Sequence, residues 1–118
     1  MPGTRTLATD ASPRIAAASI RSVSGTRMLV VQIADGRALI LPLWLYPLLH
    51  AAAPSAQRNL QIIGRGRGLH WPTLDLDLSL AGMLAGTPDL TKLAKSTAKR
   101  LHLTDYARIA AQPRRKAS

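Results

Sequence analysis

Apolar residues alternate with other residues over the first part of the chain, and this period of two is typical of strands with one buried face. Residues 15–23 and 28–34 predict two strands, with a turn at Ser24-Gly25-Thr26 between them. Asp35-Gly36 predicts a hairpin into a third strand over residues 37–43, because both central residues of such a turn need positive φ. We therefore expect a three-stranded antiparallel meander.

Both faces of this meander carry apolar side chains. One face of the second and third strands holds Leu29, Val31, Ile33, Leu39, Leu41 and Leu43. The opposite face holds Val30 and Ile40. A sheet that is apolar on both sides is usually covered on both sides. We expect another element of the chain or a partner to cover this second face.

The next segment combines helix signals with a strand signal. Residues 45–52 predict a helix that tolerates Pro47 only in its first turn. Pro54 predicts a second helical turn that runs to Arg58, and residues 60–63 begin another strand. This order of elements predicts a small α+β fold, in which the meander and a glycine-bulged strand form an antiparallel sheet beside short helices.

The glycine-bulged strand is predicted from the start of residues 62–79. This segment begins with glycines that alternate with larger residues, namely Gly64, Arg65, Gly66, Arg67, Gly68 and Leu69. The spacing predicts a strand with a bulge and with both arginines on one face. It lacks the GxGxxG pattern of a phosphate-binding loop. Trp71-Pro72 ends the strand because proline has no N–H to donate to a neighbouring strand.

The second half of this segment predicts a capped helix. Either Asp77 or Ser79 caps a short helix over residues 80–85, and Gly86 ends it. We expect Trp71 and Leu74 to be buried between the bulged strand and this helix.

The chain after Gly86 predicts a basic helical extension. Thr87-Pro88-Asp89 supplies an N-cap, a first-turn proline and an acid that complements the helix dipole. One side of the helix carries Leu90, Leu93, Ala94, Thr97 and Leu101, and the other carries Lys92, Lys95, Ser96 and Lys99. A second helix is predicted over residues 105–111, followed by a loose basic tail over residues 113–116.

The extension has two interpretations, a DNA-reading helix-turn-helix and a helical segment that packs on its own domain. His102 stands where the turn of a helix-turn-helix usually has glycine, and Arg108 stands where the second helix needs a buried apolar residue. We therefore expect packing on the domain. Because the apolar stripe is narrow, a chain cut after Gly86 is expected to stay folded and to lose partner binding.

The chain divides into three predicted parts. Residues 1–14 are polar and rich in small residues, without the apolar run of a secretory signal, and predict a disordered lead-in. Residues 15–86 form the α+β domain, and residues 87–118 form the extension. The longest apolar run, residues 38–49, is too short to cross a membrane. We expect a soluble cytoplasmic protein without membrane contact.

Charge changes the functional picture most. The chain has 16 basic and 6 acidic residues, a net charge of +10, which attracts phosphate backbones or acidic protein surfaces. It has no cysteine, which excludes disulfides, thiol catalysis and zinc–thiolate sites. The candidate residues for binding a partner or nucleic acid are Arg65, Arg67, Lys92, Lys95, Lys99 and Arg100.

His70, Asp75 and Asp77 are the one plausible catalytic or metal-binding cluster in the sequence. A hydrolase or zinc site would need these three side chains to converge, and one histidine with two carboxylates is a small ligand set. In the alternative interpretation, the histidine is hydrogen-bonded beside Trp71 and the aspartates cap the next helix. We prefer this alternative and expect no enzyme, no metal and no cofactor.

The pattern GxGxGLHWPxLDxDLS includes Gly64, Gly66, Gly68, His70, Trp71, Pro72, Asp75, Asp77 and Ser79. It resembles the bacterial family known as domain of unknown function 2442, and the resemblance covers about residues 15–86. The resemblance implies a small α+β domain and an antitoxin-like partner of a small toxin encoded nearby. We therefore expect a non-enzymatic module that docks on a protein partner. Direct binding of DNA or RNA through the extension is the alternative, and a hydrolase is a distant one.

Overall fold

The computed structural model describes residues 12–113 and shows a small α+β fold, as the sequence predicts. The strands are β1 (Ile15–Val23), β2 (Thr26–Ile33), β3 (Ala38–Pro42), β4 (Gln61–Ile63), β5 (Gly68–Trp71) and β6 (Leu76–Ser79). The α-helices are α1 (Pro47–Ala51), α2 (Pro54–Arg58), α3 (Leu80–Ala85), α4 (Lys92–Arg100) and α5 (Thr104–Ala110). Short 3-10 turns span Leu43–Leu45, Gly64–Gly66 and Pro72–Leu74.

The predicted meander is confirmed as an antiparallel sheet in the order β1-β2-β3. The turn with two positive φ angles is Ser24-Gly25, at 51° and 81°, and not Asp35-Gly36. In the second hairpin, Gly36 has a positive φ of 102°, and the Asp35 carboxylate accepts a hydrogen bond from the Arg37 N–H at 3.0 Å. A side chain of the turn therefore stabilises the second hairpin.

Strands β4, β5 and β6 form a separate antiparallel sheet. The glycine segment does not join the meander as a bulged strand, because Gly64–Gly66 is a 3-10 turn and the chain becomes extended only at Gly68. Residues 76–79, predicted as the segment that leads into a capped helix, form an edge strand before that helix. Ser79 then caps α3, and Gly86 ends it with a φ of 73°, both as predicted.

The core lies between the two sheets and the short helices, and Trp71 is completely buried within it. The Trp71 indole N–H donates to the backbone oxygen of Gln57 at 2.8 Å. The buried Gln57 side chain donates to the Leu49 carbonyl at 3.0 Å and accepts from the Arg27 side chain at 3.1 Å. Leu74 is half-buried and packs on the same core. These contacts join β5, α2, α1 and β2.

The extension after Gly86 packs on the domain, as predicted. Helix α4 contacts α1, and α5 contacts the turn Leu43–Leu45. The segment before α4 is attached as well, because the Asp89 N–H donates to the Leu45 carbonyl at 3.0 Å. The buried Tyr106 hydroxyl donates to the Asp89 carbonyl at 2.5 Å. Helices α4 and α5 are therefore part of the fold.

Two details of the extension differ from the prediction. Thr87-Pro88-Asp89 does not begin a helix, since α4 starts at Lys92 and Thr91 accepts the capping bond from the Ala94 N–H. Leu93 is 62 % exposed. The buried face consists of the small residues Ala94, Thr97 and Ala98.

The link between the last two helices has the geometry of a tight helical turn. His102 has a φ of 56°, a left-handed conformation that histidine adopts more readily than most residues. The sequence argument that His102 could not replace the glycine of a helix-turn-helix is therefore wrong, because His102 adopts the left-handed conformation that glycine would supply. Arg108 is exposed and donates to the Asp105 carboxylate at 2.7 Å, so α5 presents a paired charge there. The interpretation as a domain-packed extension stands.

The remaining predictions concern the ends of the chain, membrane-spanning helices and the outer face of the meander. Residues 1–11 and 114–118 lie outside the described residues, and with them most of the predicted lead-in and basic tail. No helix in residues 12–113 has the length and apolar character needed to span a bilayer. On the outer face of the meander, Ile40 is 54 % exposed, and Val30 opposite it is half-buried.

Candidate functional site

The glycine turn, which comprises the 3-10 turn Gly64–Gly66 and its C-cap Arg67, lies against the start of β1. Gly66 has a φ of +87°, and a Cβ atom there would lie 3.0 Å from the Arg14 Cβ and 3.1 Å from backbone atoms of Ile15. Arg65 also has a left-handed backbone, with a φ of 58°, and its carbonyl accepts a hydrogen bond from the Arg14 guanidinium at 2.7 Å. The prediction that Arg65 and Arg67 share one face of a strand is therefore wrong.

The six predicted binding residues lie on two different elements. Arg65 and Arg67 belong to the glycine turn, and Lys92, Lys95, Lys99 and Arg100 belong to α4. All six are exposed, and none is in an ion pair within residues 12–113. On α4, the three lysines follow the spacing i, i+3 and i+7, which places them on one face. The structure thus brings the lysines together and leaves the two arginines in a separate turn.

The three residues of the candidate catalytic cluster do not converge: His70 and Asp77 form a pair, and Asp75 lies apart from them. His70 on β5 lies opposite Asp77 on β6, and the His70 Nδ1 is 2.5 Å from an Asp77 carboxylate oxygen. Asp77 therefore binds the histidine and caps no helix. Asp75 lies at the end of the turn Pro72–Leu74, with a left-handed φ of 49°. Within residues 12–113, no three histidine or acidic side chains are grouped to hold a metal ion.

A groove beside β6, which the sequence did not predict, is a concave surface in the described part of the chain. It has a volume of about 560 Å³, within the range of about 300–1,000 Å³ typical of ligand sites. One side is formed by residues 74–79, which include all of β6. The other side is formed by residues 87–91 and Leu93. The groove therefore lies between the second sheet and the segment that leads into α4.

The side of the groove formed by β6 is a free strand edge. The Leu80 N–H donates to the Arg67 carbonyl at 2.8 Å, and the register continues with Leu78 opposite Leu69 and Leu76 opposite Trp71. In an antiparallel pair, alternate residues of a strand bond to the same neighbour. Leu76 and Leu78 therefore bond to β5.

Asp77 and Ser79, which alternate with Leu76 and Leu78, direct their backbone groups away from β5. These are the N–H and C=O of Asp77 and the N–H of Ser79, whose carbonyl begins the bonds of α3. No strand among residues 12–113 pairs with β6 on this side. The groove thus contains backbone donors and an acceptor at strand spacing.

The charged side chains that line the groove are all acidic. They are Asp75, Asp77 and Asp89, and no lysine, arginine or histidine from residues 12–113 lines it. This is unusual in a chain with a net charge of +10. Asp89 also holds the local turn, because its carboxylate accepts from the Thr91 N–H at 3.0 Å. Asp75 and Asp77 are the two exposed carboxylates on the side of β6.

Tyr46 is a further lining residue with an unusual environment. Its side chain is 1 % exposed, and its hydroxyl has no hydrogen-bond partner in the part of the chain that the structure describes. Burial raises the pKa of the Tyr46 hydroxyl to about 12, so at neutral pH it keeps its proton and its capacity to donate. A buried hydroxyl without a partner costs about 1–3 kcal/mol of stability.

Comparison with known proteins identifies the family. The family described as "Protein of unknown function (DUF2442)" matches residues 17–89. The crystal structure of a protein of unknown function from Rhodospirillum rubrum is 36 % identical in sequence, with a TM-score of 0.58. The similarity covers 70 % of this chain and 95 % of that one.

A second solved structure is similar. It is the NMR structure of the uncharacterized protein CV0863 from Chromobacterium violaceum, which is 25 % identical, with a TM-score of 0.56. The similarity covers 78 % of this chain and 82 % of that one. No curated protein matches the chain. From the extent of the family match and the relative from Rhodospirillum rubrum, this chain belongs to the DUF2442 family of proteins of unknown function.

Proposed function

We propose that this protein is a non-enzymatic binding module that docks a protein partner in the groove beside β6. The observation that carries the proposal is the free edge of β6 inside a concave surface. Free strand edges pair readily with segments of other proteins, and native proteins usually cover or interrupt them. Here the edge lies open in a groove of ligand-site size.

The arrangement of polar side chains supports binding over catalysis. The His70–Asp77 pair has the carboxylate–imidazole half of a catalytic triad, which also needs a nucleophile that the histidine can activate. Ser79 is the hydroxyl residue two positions from Asp77, and its oxygen accepts the capping bond from the Gly82 N–H at 3.0 Å. We assign the pair a structural role between β5 and β6. Absence of an enzymatic activity and a cytoplasmic location stay predictions.

The family resemblance supports a protein partner of a particular kind. Antitoxin-like members imply a small toxin encoded nearby, and a toxin bound along a strand edge fits this proposal. The groove and the resemblance are independent arguments, since the first uses backbone geometry and the second uses the sequence pattern.

A charge inserted into the groove tests the proposal. Leu93→Arg places a long cation at an exposed lining position of α4, and Leu84→Arg makes the same change at an exposed position of α3 outside the groove. We expect wild type and Leu84→Arg to capture the same protein from nuclease-treated lysate. We expect Leu93→Arg to lose it.

The captured protein is then purified and titrated against all three variants by calorimetry. The proposal predicts binding that is at least tenfold weaker for Leu93→Arg and unchanged within about twofold for Leu84→Arg. Equal affinity for both variants would place the partner on another surface and refute the groove as the docking site.

Nucleic-acid binding is a second candidate function, favoured by the lysine face of α4. Lys92, Lys95 and Lys99 are exposed on one face and none is in an ion pair within the described part of the chain. A protein that neutralises phosphates releases counterions, so its affinity falls linearly with salt on logarithmic scales. Arg65, Arg67 and Arg100 are further cations that this function would use.

The salt dependence of binding tests this second function. Replacing Lys92, Lys95 and Lys99 with glutamine is expected to reduce the slope of log affinity against log salt by about 1 for each phosphate that a lysine no longer neutralises. The control replaces three exposed arginines on other elements, Arg21, Arg37 and Arg58. Equal slopes for the two triple variants, or no binding near physiological salt, would exclude the lysine face as a nucleic-acid site.

A further inference from the structure

We infer that the segment bound in the groove is a basic extended peptide that adds as a fourth strand beside β6. This inference rests on the proposed function and specifies its partner by chemistry. In strand addition, main-chain hydrogen bonds supply affinity, and alternate side chains supply specificity. Each of the two requirements has a counterpart in the groove.

The main-chain requirement is met by the outward-facing groups of Asp77 and Ser79. They provide two N–H donors and one carbonyl acceptor along the open side of β6. The same side faces a groove of about 560 Å³ and not a flat surface. An extended peptide laid along this edge pairs with these three groups and continues the sheet β4-β5-β6.

The side-chain requirement determines the sequence pattern of the peptide. Side chains of a strand alternate between the two faces of its sheet. In this sheet, the face with Asp77 is exposed, and the face with Leu76 and Leu78 is buried. Peptide side chains on the first face lie beside a carboxylate and are basic. Those on the second face extend an apolar row. The preferred peptide therefore alternates basic and apolar residues.

Charge and the buried Tyr46 hydroxyl support the same ligand independently. Asp75, Asp77 and Asp89 give the groove a negative lining in a protein whose net charge is +10, so the groove attracts cations that the rest of the surface repels. Tyr46 supplies a hydroxyl that has no partner among residues 12–113. A polar group of a bound peptide would give this hydroxyl the partner that it does not have among the described residues.

The test uses synthetic peptides, so its main arm does not alter the protein. The probe is an eight-residue peptide that alternates lysine and valine, blocked at both ends. Two versions carry N-methyl groups on alternate residues, one version on the odd positions and the other on the even positions. A strand offers only one set of N–H groups to each neighbour. We expect one methylated version to bind at least tenfold more weakly than the probe, and the other to bind within about twofold of it.

Two protein variants test the charge requirement. Asp75→Asn with Asp77→Asn removes two carboxylates from the groove, and asparagine retains the ability to adopt the left-handed backbone of residue 75. Asp35→Asn with Asp105→Asn removes the same charge outside the groove. We expect at least tenfold weaker binding of the probe for the first pair and unchanged binding for the second pair. Amide exchange should slow at Asp77 and Ser79 when the probe binds.

Several outcomes overturn the inference. If both methylated versions bind as tightly as the probe, the peptide is attracted by charge without strand pairing. The same follows if a glycine–lysine peptide of the same charge binds as tightly as the probe. No measurable binding of the probe would also reject it, as would self-association of the protein that protects the Asp77 amide. In each case the proposed function is judged separately by the Leu93→Arg and Leu84→Arg comparison, which does not use these peptides.

Discussion

Replacing Trp71 with alanine is expected to lower the free energy of unfolding by about 3–5 kcal/mol, a large share of the stability of a small domain. Trp71 is 0 % exposed, and its loss leaves a cavity where β5 meets α2. It also leaves the buried Gln57 carbonyl without the indole N–H that it accepts at 2.8 Å. The cavity and the missing hydrogen bond act in the same direction.

Denaturant unfolding of three variants separates these effects. Trp71→Phe keeps most of the apolar volume and loses the hydrogen bond, so it should cost clearly less than Trp71→Ala. Trp44→Ala removes a half-buried tryptophan at the edge of the core and is the matched control. If Trp71→Ala unfolds at the same denaturant concentration as wild type, Trp71 does not stabilise the packing of β5 against α2.

Cutting the chain after Gly86 is expected to unfold it or to lower its melting temperature by more than about 10 °C. The sequence predicts the opposite, because the apolar stripe of the extension is narrow when taken alone. In the structure, however, Ala94, Ala98 and Tyr106 are buried, and Ile109 packs on the core of the domain. Removing about 2 kcal/mol of packing energy is enough for a shift of this size in a domain of about 100 residues.

The control for this truncation ends the chain after Pro113, which removes only residues that follow α5. We expect the chain that ends at Pro113 to melt within about 2 °C of wild type. A point variant tests the packing of the extension without deletion: Ala98→Arg places a long cation at a buried position of α4, beside Tyr106 and Ala107 of α5. If the chain cut after Gly86 melts like wild type, the extension is dispensable for folding, and its role is confined to binding.

The sequence by itself determined the elements whose signals lie within a few residues. Strand β1 and helix α2 have the predicted bounds, because a two-residue turn and a first-turn proline act locally. The Ser79 cap and the Gly86 stop of α3 are confirmed for the same reason. The family was also predicted from a continuous stretch of sequence, and the family match over residues 17–89 confirms it.

Only the tertiary structure decided the features that depend on distant residues. The glycine turn could not be distinguished from a bulged strand locally, because the restriction on Gly66 comes from Arg14 and Ile15. The groove depends on a contact across the chain, the bond from the Asp89 N–H to the Leu45 carbonyl that anchors its second side. Local patterns record the conformation of a segment, whereas a site between segments is set by packing that no short pattern contains.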